Sequence, residues 1–136
     1  MRHAVPLRGR GGEPLPAPLR QRLEAGFGAD LAAVRLHGCA AAQHDLEALG
    51  AIACAVDGAI LLRPGAAAPA VLAHEVAHLL QARVPGRPAT TAALEAEADR
   101  AAARVLAGGR ARLRHRAAAG QPLCWEEAGH YYTVYF

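Results

Sequence analysis

Residues 69–83, PAVLAHEVAHLLQAR, constrain this chain more than any other stretch. The pattern predicts a helix over residues 70–83, with Pro69 in its first turn, where the missing N–H costs nothing. Pro85-Gly86-Arg87-Pro88 ends it. Val71, Leu72, Ala73, Val76, Ala77, Leu79 and Leu80 leave almost no polar face. A helix that is apolar nearly all round has to be buried. This one nevertheless carries His74, Glu75 and His78. Two imidazoles and a carboxylate are expensive to bury without partners. The fold must therefore bring compensating groups, or a cation, to this helix.

The spacing favours a cation. His74-Glu75-Val76-Ala77-His78 is an HExxH motif. Residues i and i+4 share a helix face one turn apart, so both imidazoles can hold one metal ion. Glu75 is rotated out of that pair and is the candidate general base acting on water. The bland alternative is a chance HExxH of surface groups, which the apolar neighbours disfavour. A catalytic zinc site takes a third protein ligand and keeps one position open. Leu94-Glu95-Ala96-Glu97-Ala98-Asp99 offers two candidates, Glu95 and Glu97. At about 100° per residue, Glu95 shares a stripe with Asp99, Ala102 and Leu106, whereas Glu97 shares its stripe with Arg104 and lies three residues before Arg100. Glu95 is therefore expected as the third ligand. Glu97 is expected as a solvated residue paired with arginines. Asp99, one turn after Glu95, is expected to accept the free ring N–H of a ligand histidine, as carboxylates around metal sites commonly do.

Composition removes several other chemistries. The chain has no Ser, no Lys and no Asn. That excludes a serine hydrolase, a P-loop or Schiff-base lysine, and N-glycosylation. The remaining nucleophiles are Thr90, Thr91, Thr133, Cys39, Cys54 and Cys124. Three scattered cysteines without a CxxC make neither a disulfide framework nor a metal knot, and Cys39 and Cys54 are expected as small core residues. Aromatics are few, so the core is expected to be built from Leu, Val, Ile and Ala. The opening residues lack the apolar segment of a secretory signal, and no apolar run reaches the ~18 residues of a membrane span. These features predict a soluble cytoplasmic protein. A net charge of +3 is too small to argue for nucleic acid.

Around the HExxH helix the expected organisation is a flexible leader (1–14), one domain (15–107), a basic linker (108–122) and an aromatic tail (123–136). A helix starts near Leu19 and is expected to stop at Gly26 and Gly28. Residues 33–37 form a short strand, and His37 at its end is expected as an ordinary hydrogen-bonded histidine rather than a ligand. A helix follows from Cys39 to Leu49. Asp57-Gly58 between two apolar runs marks a two-residue hairpin. Thr90 or Thr91 caps a last helix over roughly 92–106. The fold class is α+β: a small mixed sheet, from about 33–37 and 52–62, packs on the HExxH helix and on the helix bearing Glu95. Arg110, Arg112, Arg114 and Arg116 have no interleaved aromatics, so they are expected as a solvated linker rather than a base-stacking surface. The tail 123–136 is expected to begin a further element. If it instead folds back over the cleft, His130 or Tyr131 becomes the candidate oxyanion stabiliser.

HExxH followed by ExxxD resembles the Glu-zincin metallopeptidases. Glu95, Ala98 and Asp99 are also similar to the Glu-x-x-Ala-Asp of membrane-bound CAAX-prenyl proteases, which the chain otherwise does not resemble. A closer resemblance covers about residues 15–107. It is carried by Leu15-Pro16, Phe27-Gly28-x-Asp30-Leu31-x-x-Val34-Arg35-Leu36-His37, Leu49-Gly50-Ala51-x-Ala53, Ile60 and Leu72-Ala73-His74-Glu75-x-x-His78-x-x-Gln81. These motifs resemble the eCIS core domain, a metallopeptidase-like domain of bacterial proteins encoded beside extracellular contractile injection systems. The chain departs from that family after Ala53, where Cys54, Ala55, Val56 and Asp57 replace an aromatic-Thr-x-Gly run.

The resemblance implies a zincin-like minidomain with one Zn²⁺ per chain on His74, His78 and Glu95. It implies peptide-bond hydrolysis with Glu75 as base, a peptide or protein substrate, and association with or export by an injection system. The competing reading is a non-catalytic docking or loading module of an injection-system cargo, with a structural or vestigial metal site. A nucleic-acid or membrane partner is not expected.

Overall fold

The computed structural model describes residues 11–118, 123–126 and 131–133. Nine elements follow in order among them: α1 (Ala17–Phe27), β1 (Arg35–His37), α2 (Ala40–Leu49), β2 (Ala51–Val56), β3 (Ala59–Leu62), α3 (Pro69–Gln81), α4 (Thr91–Leu106), β4 (Leu123–Glu126) and β5 (Tyr131–Thr133). The class is α+β, as the sequence predicts. The strands form one mixed sheet in the order β1-β3-β2-β4-β5. β1 runs parallel to β3, and the remaining pairs are antiparallel. No helix among the described residues is long and apolar enough to cross a membrane.

Local chemistry accounts for most boundaries. Asp57 and Gly58 have φ of 50° and 81°, the paired positive values of a type I′ hairpin turn. They set the register Val56↔Ala59 through Ala53↔Leu62. Pro69 occupies the first turn of α3, and the Thr90 hydroxyl accepts the Ala93 N–H at 3.2 Å to cap α4. α1 ends at Gly28, which is left-handed. Gly26 does not stop α1 as the sequence suggests. It lies inside the helix, where a Cβ would run into the Val105 side chain of α4, so its role is close helix–helix approach.

β2 and β3 are covered on both faces. On one, Ala53, Ala55, Ile60 and Leu62 meet Leu72, Val76 and Leu80 of α3, with Leu23 of α1 and Val105 of α4 in the same cluster. On the other, Cys54 and Leu61 meet Ala42 and Leu46 of α2. This double cover is why both strands read as continuous apolar runs rather than alternating ones. Cys54 is buried as expected. Cys39 is exposed, because it sits at the N-cap of α2 rather than in its packed face.

Described residues on either side of the expected domain bond to it. Glu13 exchanges backbone hydrogen bonds with Leu36 at 2.7 and 2.9 Å. The basic run after α4 is held by its backbone: Ala111 N–H donates to Gly26, Ala89 N–H to Arg116, and Ala117 N–H to Gln81. Buried Ala117 packs with Leu94 and Leu123. β4 continues the sheet beside β2, and β5 pairs with β4.

Candidate metal centre

The centre forms where α3 and α4 pack together. The i, i+4 spacing puts His74 and His78 on one face of α3, their rings edge to face with centroids 4.5 Å apart. α4 brings Glu95 to the same point. His74 Nε2 and His78 Nε2 lie 3.0 Å apart, and Glu95 Oε1 lies 3.0 Å from the first and 3.1 Å from the second. All three residues are buried, and together they form a group that could hold a metal ion.

Hydrogen bonds alone satisfy this triangle poorly. Each Nε2 has a single in-plane hydrogen or lone pair, yet each faces two neighbours. The second carboxylate oxygen, Glu95 Oε2, is buried without a hydrogen-bond partner among the described residues. A tetrahedral cation roughly 2.0–2.2 Å from its donors holds them about 3.3–3.6 Å apart. The observed triangle is a little tighter than that, and an N,N,O set suits a borderline divalent cation.

The electrostatics point the same way. Burial is the main effect on His74 and lowers its pKa. The neighbouring His78 adds to this, while the Glu95 hydrogen bond and the charges of Glu95 and Asp99 oppose it without reversing it. A neutral imidazole is the form that binds metal. Burial alone would raise the Glu95 pKa, but the hydrogen bond with His74 and the charge of the neighbouring imidazoles outweigh it and hold the carboxyl below its usual value. Glu75 is fully buried. Asp99 is exposed on α4, and its charge reaches His74.

The pattern of the eCIS core domain matches residues 14–86, more than half of the chain. The chain belongs to the eCIS core domain family. No curated protein and no solved structure matches it. The match to the eCIS core domain includes His74, Glu75, His78 and Gln81 and stops before α4. Glu95 therefore joins the group through the packing of α4 on α3.

Glu97 departs from expectation. It is buried, not solvated beside arginines. Its carboxylate accepts Gln81 Nε2 at 2.9 Å, Arg114 N–H at 2.6 Å and His115 N–H at 3.2 Å, and it lies 3.0 Å from His115 Nδ1. Burial tends to raise its pKa, but these donors outweigh burial and lower it. The physical reason is that the chain after α4 folds back over the face that a lone helix would show to water. His37 lies outside the metal group. It is a buried histidine against Gly12, its pKa lowered by desolvation, and its Nε2 has no hydrogen-bond partner among the described residues. His130 and the Tyr131 side chain lie outside the described residues.

The packing also exposes a residue to which the motif alone assigns no role. Gln81 Oε1 lies 2.7 Å from His78 Nδ1, on the side of the ring away from Glu95. Its i+3 spacing from His78 is the signal that could have pointed to it.

Proposed function

We propose that this eCIS core domain is a zinc-dependent peptidase whose centre is His74, His78 and Glu95. The convergence of the two Nε2 atoms and Glu95 Oε1 within 3.1 Å carries the reading. Zinc in this group supplies a Lewis acid that polarises a carbonyl and acidifies water. The chain's own residues do the rest. His74 presents a neutral ring, favoured by its burial, and Glu95 an ionised carboxylate, favoured by the imidazoles beside it. Glu75, next to His74 on α3, takes the proton from the attacking water at its carboxylate and passes it to the leaving amine. Asp99 orients His74 through its charge and the ring N–H opposite the metal-facing nitrogen. The substrate is a peptide or protein, and injection-system components are the proposed partners.

Burial favours one rival. Structural zinc sites are closed, whereas catalytic ones keep an open position. Here His74, Glu75 and His78 are only 1%, 0% and 3% exposed. In this second reading the ion fastens α3 to α4 inside a docking module.

Metal analysis and one substitution separate the two. Purified protein should carry close to one zinc per chain, and His74→Ala or His78→Ala should lose it. Glu75→Gln should keep the zinc and abolish cleavage of a mixed peptide library. A parent protein that binds zinc but cleaves nothing supports the structural reading. Full zinc retention by both histidine variants rejects the centre.

A further inference from the structure

The proposed metal reading needs His78 to present a lone pair at Nε2, and imidazole does so only when its single proton sits on Nδ1. The surroundings of Gln81 set that proton's position. The Gln81 side chain is completely buried at the C-terminal end of α3. Its amide nitrogen donates to Leu94 O at 3.0 Å and to Glu97 Oε1 at 2.9 Å. Those two acceptors use both N–H bonds. Turning the amide over would place its oxygen against a carbonyl and a carboxylate, so the orientation is decided by its partners. Gln81 Oε1 is left 2.7 Å from His78 Nδ1. An amide oxygen accepts and cannot donate, so Nδ1 must carry the hydrogen. In the neutral ring Nε2 then keeps its lone pair for a cation shared with His74 Nε2 and Glu95 Oε1.

Glu97 completes the arrangement. Backbone N–H groups of Arg114 and His115 hold its carboxylate from the far side. Its charge holds the Gln81 amide in the orientation His78 needs. We infer that Gln81 is the positioning residue for His78: clamped by Glu97 and Leu94 O, it fixes the Nδ1–H tautomer and aims Nε2 at the metal position. The inference rests on the metal reading for its purpose, but the tautomer belongs to the metal-free protein.

The test therefore uses two readouts. Imidazole ¹⁵N shifts of the metal-free parent, at mildly alkaline pH where histidines are neutral, should show His78 protonated at Nδ1. Gln81→Met keeps the bulk and removes the acceptor. It should release His78 to a mixture of tautomers and weaken zinc by about 10–100-fold in a chelator competition, the usual size of an outer hydrogen-bond loss at a metal site. A parent His78 protonated at Nε2 overturns the inference whatever the metal does, and so does Gln81→Met with the parent tautomer and parent affinity. If Gln81→Met fails to fold, the parent spectrum still decides. A parent with the expected tautomer that binds no zinc rejects the proposed function and leaves the positioning of His78 standing.

Discussion

Replacing Glu97 with Ala measures how much the buried carboxylate contributes to the fold. The substitution strands several donors. Gln81 Nε2 is wholly buried and loses one of its two acceptors. Leaving a buried donor unsatisfied costs about 1–3 kcal/mol. The Arg114 and His115 N–H groups also lose their acceptor, but Arg114 is exposed and His115 half-buried. Water can replace the carboxylate there, so these two bonds add about 1 kcal/mol together rather than the full value for bonds to a charged group. Ala is a better helix former than Glu, which offsets a few tenths of a kcal/mol. The expected loss is about 2–4 kcal/mol. With a urea slope of about 2 kcal/mol/M, the unfolding midpoint should fall by about 1–2 M. The measurement is urea unfolding with chelator present, so that metal binding does not contribute. A solvated glutamate paired with arginines is worth under ~1 kcal/mol. A midpoint shift below about 0.3 M refutes the burial argument and restores that solvated reading.

Three further outcomes follow from the same structure. Because the folded pKa of Glu97 lies below its ordinary 4.5, its charge contributes fully above that value and is lost as pH falls through the lower folded value; the stability difference between parent and Glu97→Gln should therefore shrink on acidification below 4.5 in urea titrations. Gly26→Ala should lower the thermal midpoint, because a Cβ there collides with Val105 and overpacking costs about 1–3 kcal/mol, more than the helix propensity gained; an unchanged or raised midpoint contradicts the tight α1–α4 crossing. In a chelator competition Asp99→Ala should hold zinc more weakly than the parent and more tightly than His74→Ala, with Asp99→Asn between parent and Asp99→Ala; parental affinity for Asp99→Ala removes Asp99 from the site.

The sequence by itself determined the elements whose signals are local. Helical apolar spacing marked α3, and i, i+4 chemistry marked His74 and His78. Asp57-Gly58 marked the hairpin through its demand for positive φ, and Thr90 or Thr91 marked the start of α4 through a hydroxyl, with the structure choosing Thr90. The helical stripe also selected Glu95, because the face it shares with Ala102 is the face that packs on α3. The same stripe argument failed for Glu97. It assumed that α4 has one covered face, whereas residues 114–117 cover a second. A hint was present, since Leu94 and Ala101, three residues before and four after Glu97, are both apolar. Gly26 reads from sequence only as a helix stop, and the proximity of Val105 shows it to be a helix contact instead. Gln81 could be seen one turn after His78, but its role depends on Leu94 O and Glu97 from another helix. Tertiary structure decided these points because burial, and the direction of a buried amide, depend on what covers a residue from distant parts of the chain, and no local period encodes that cover.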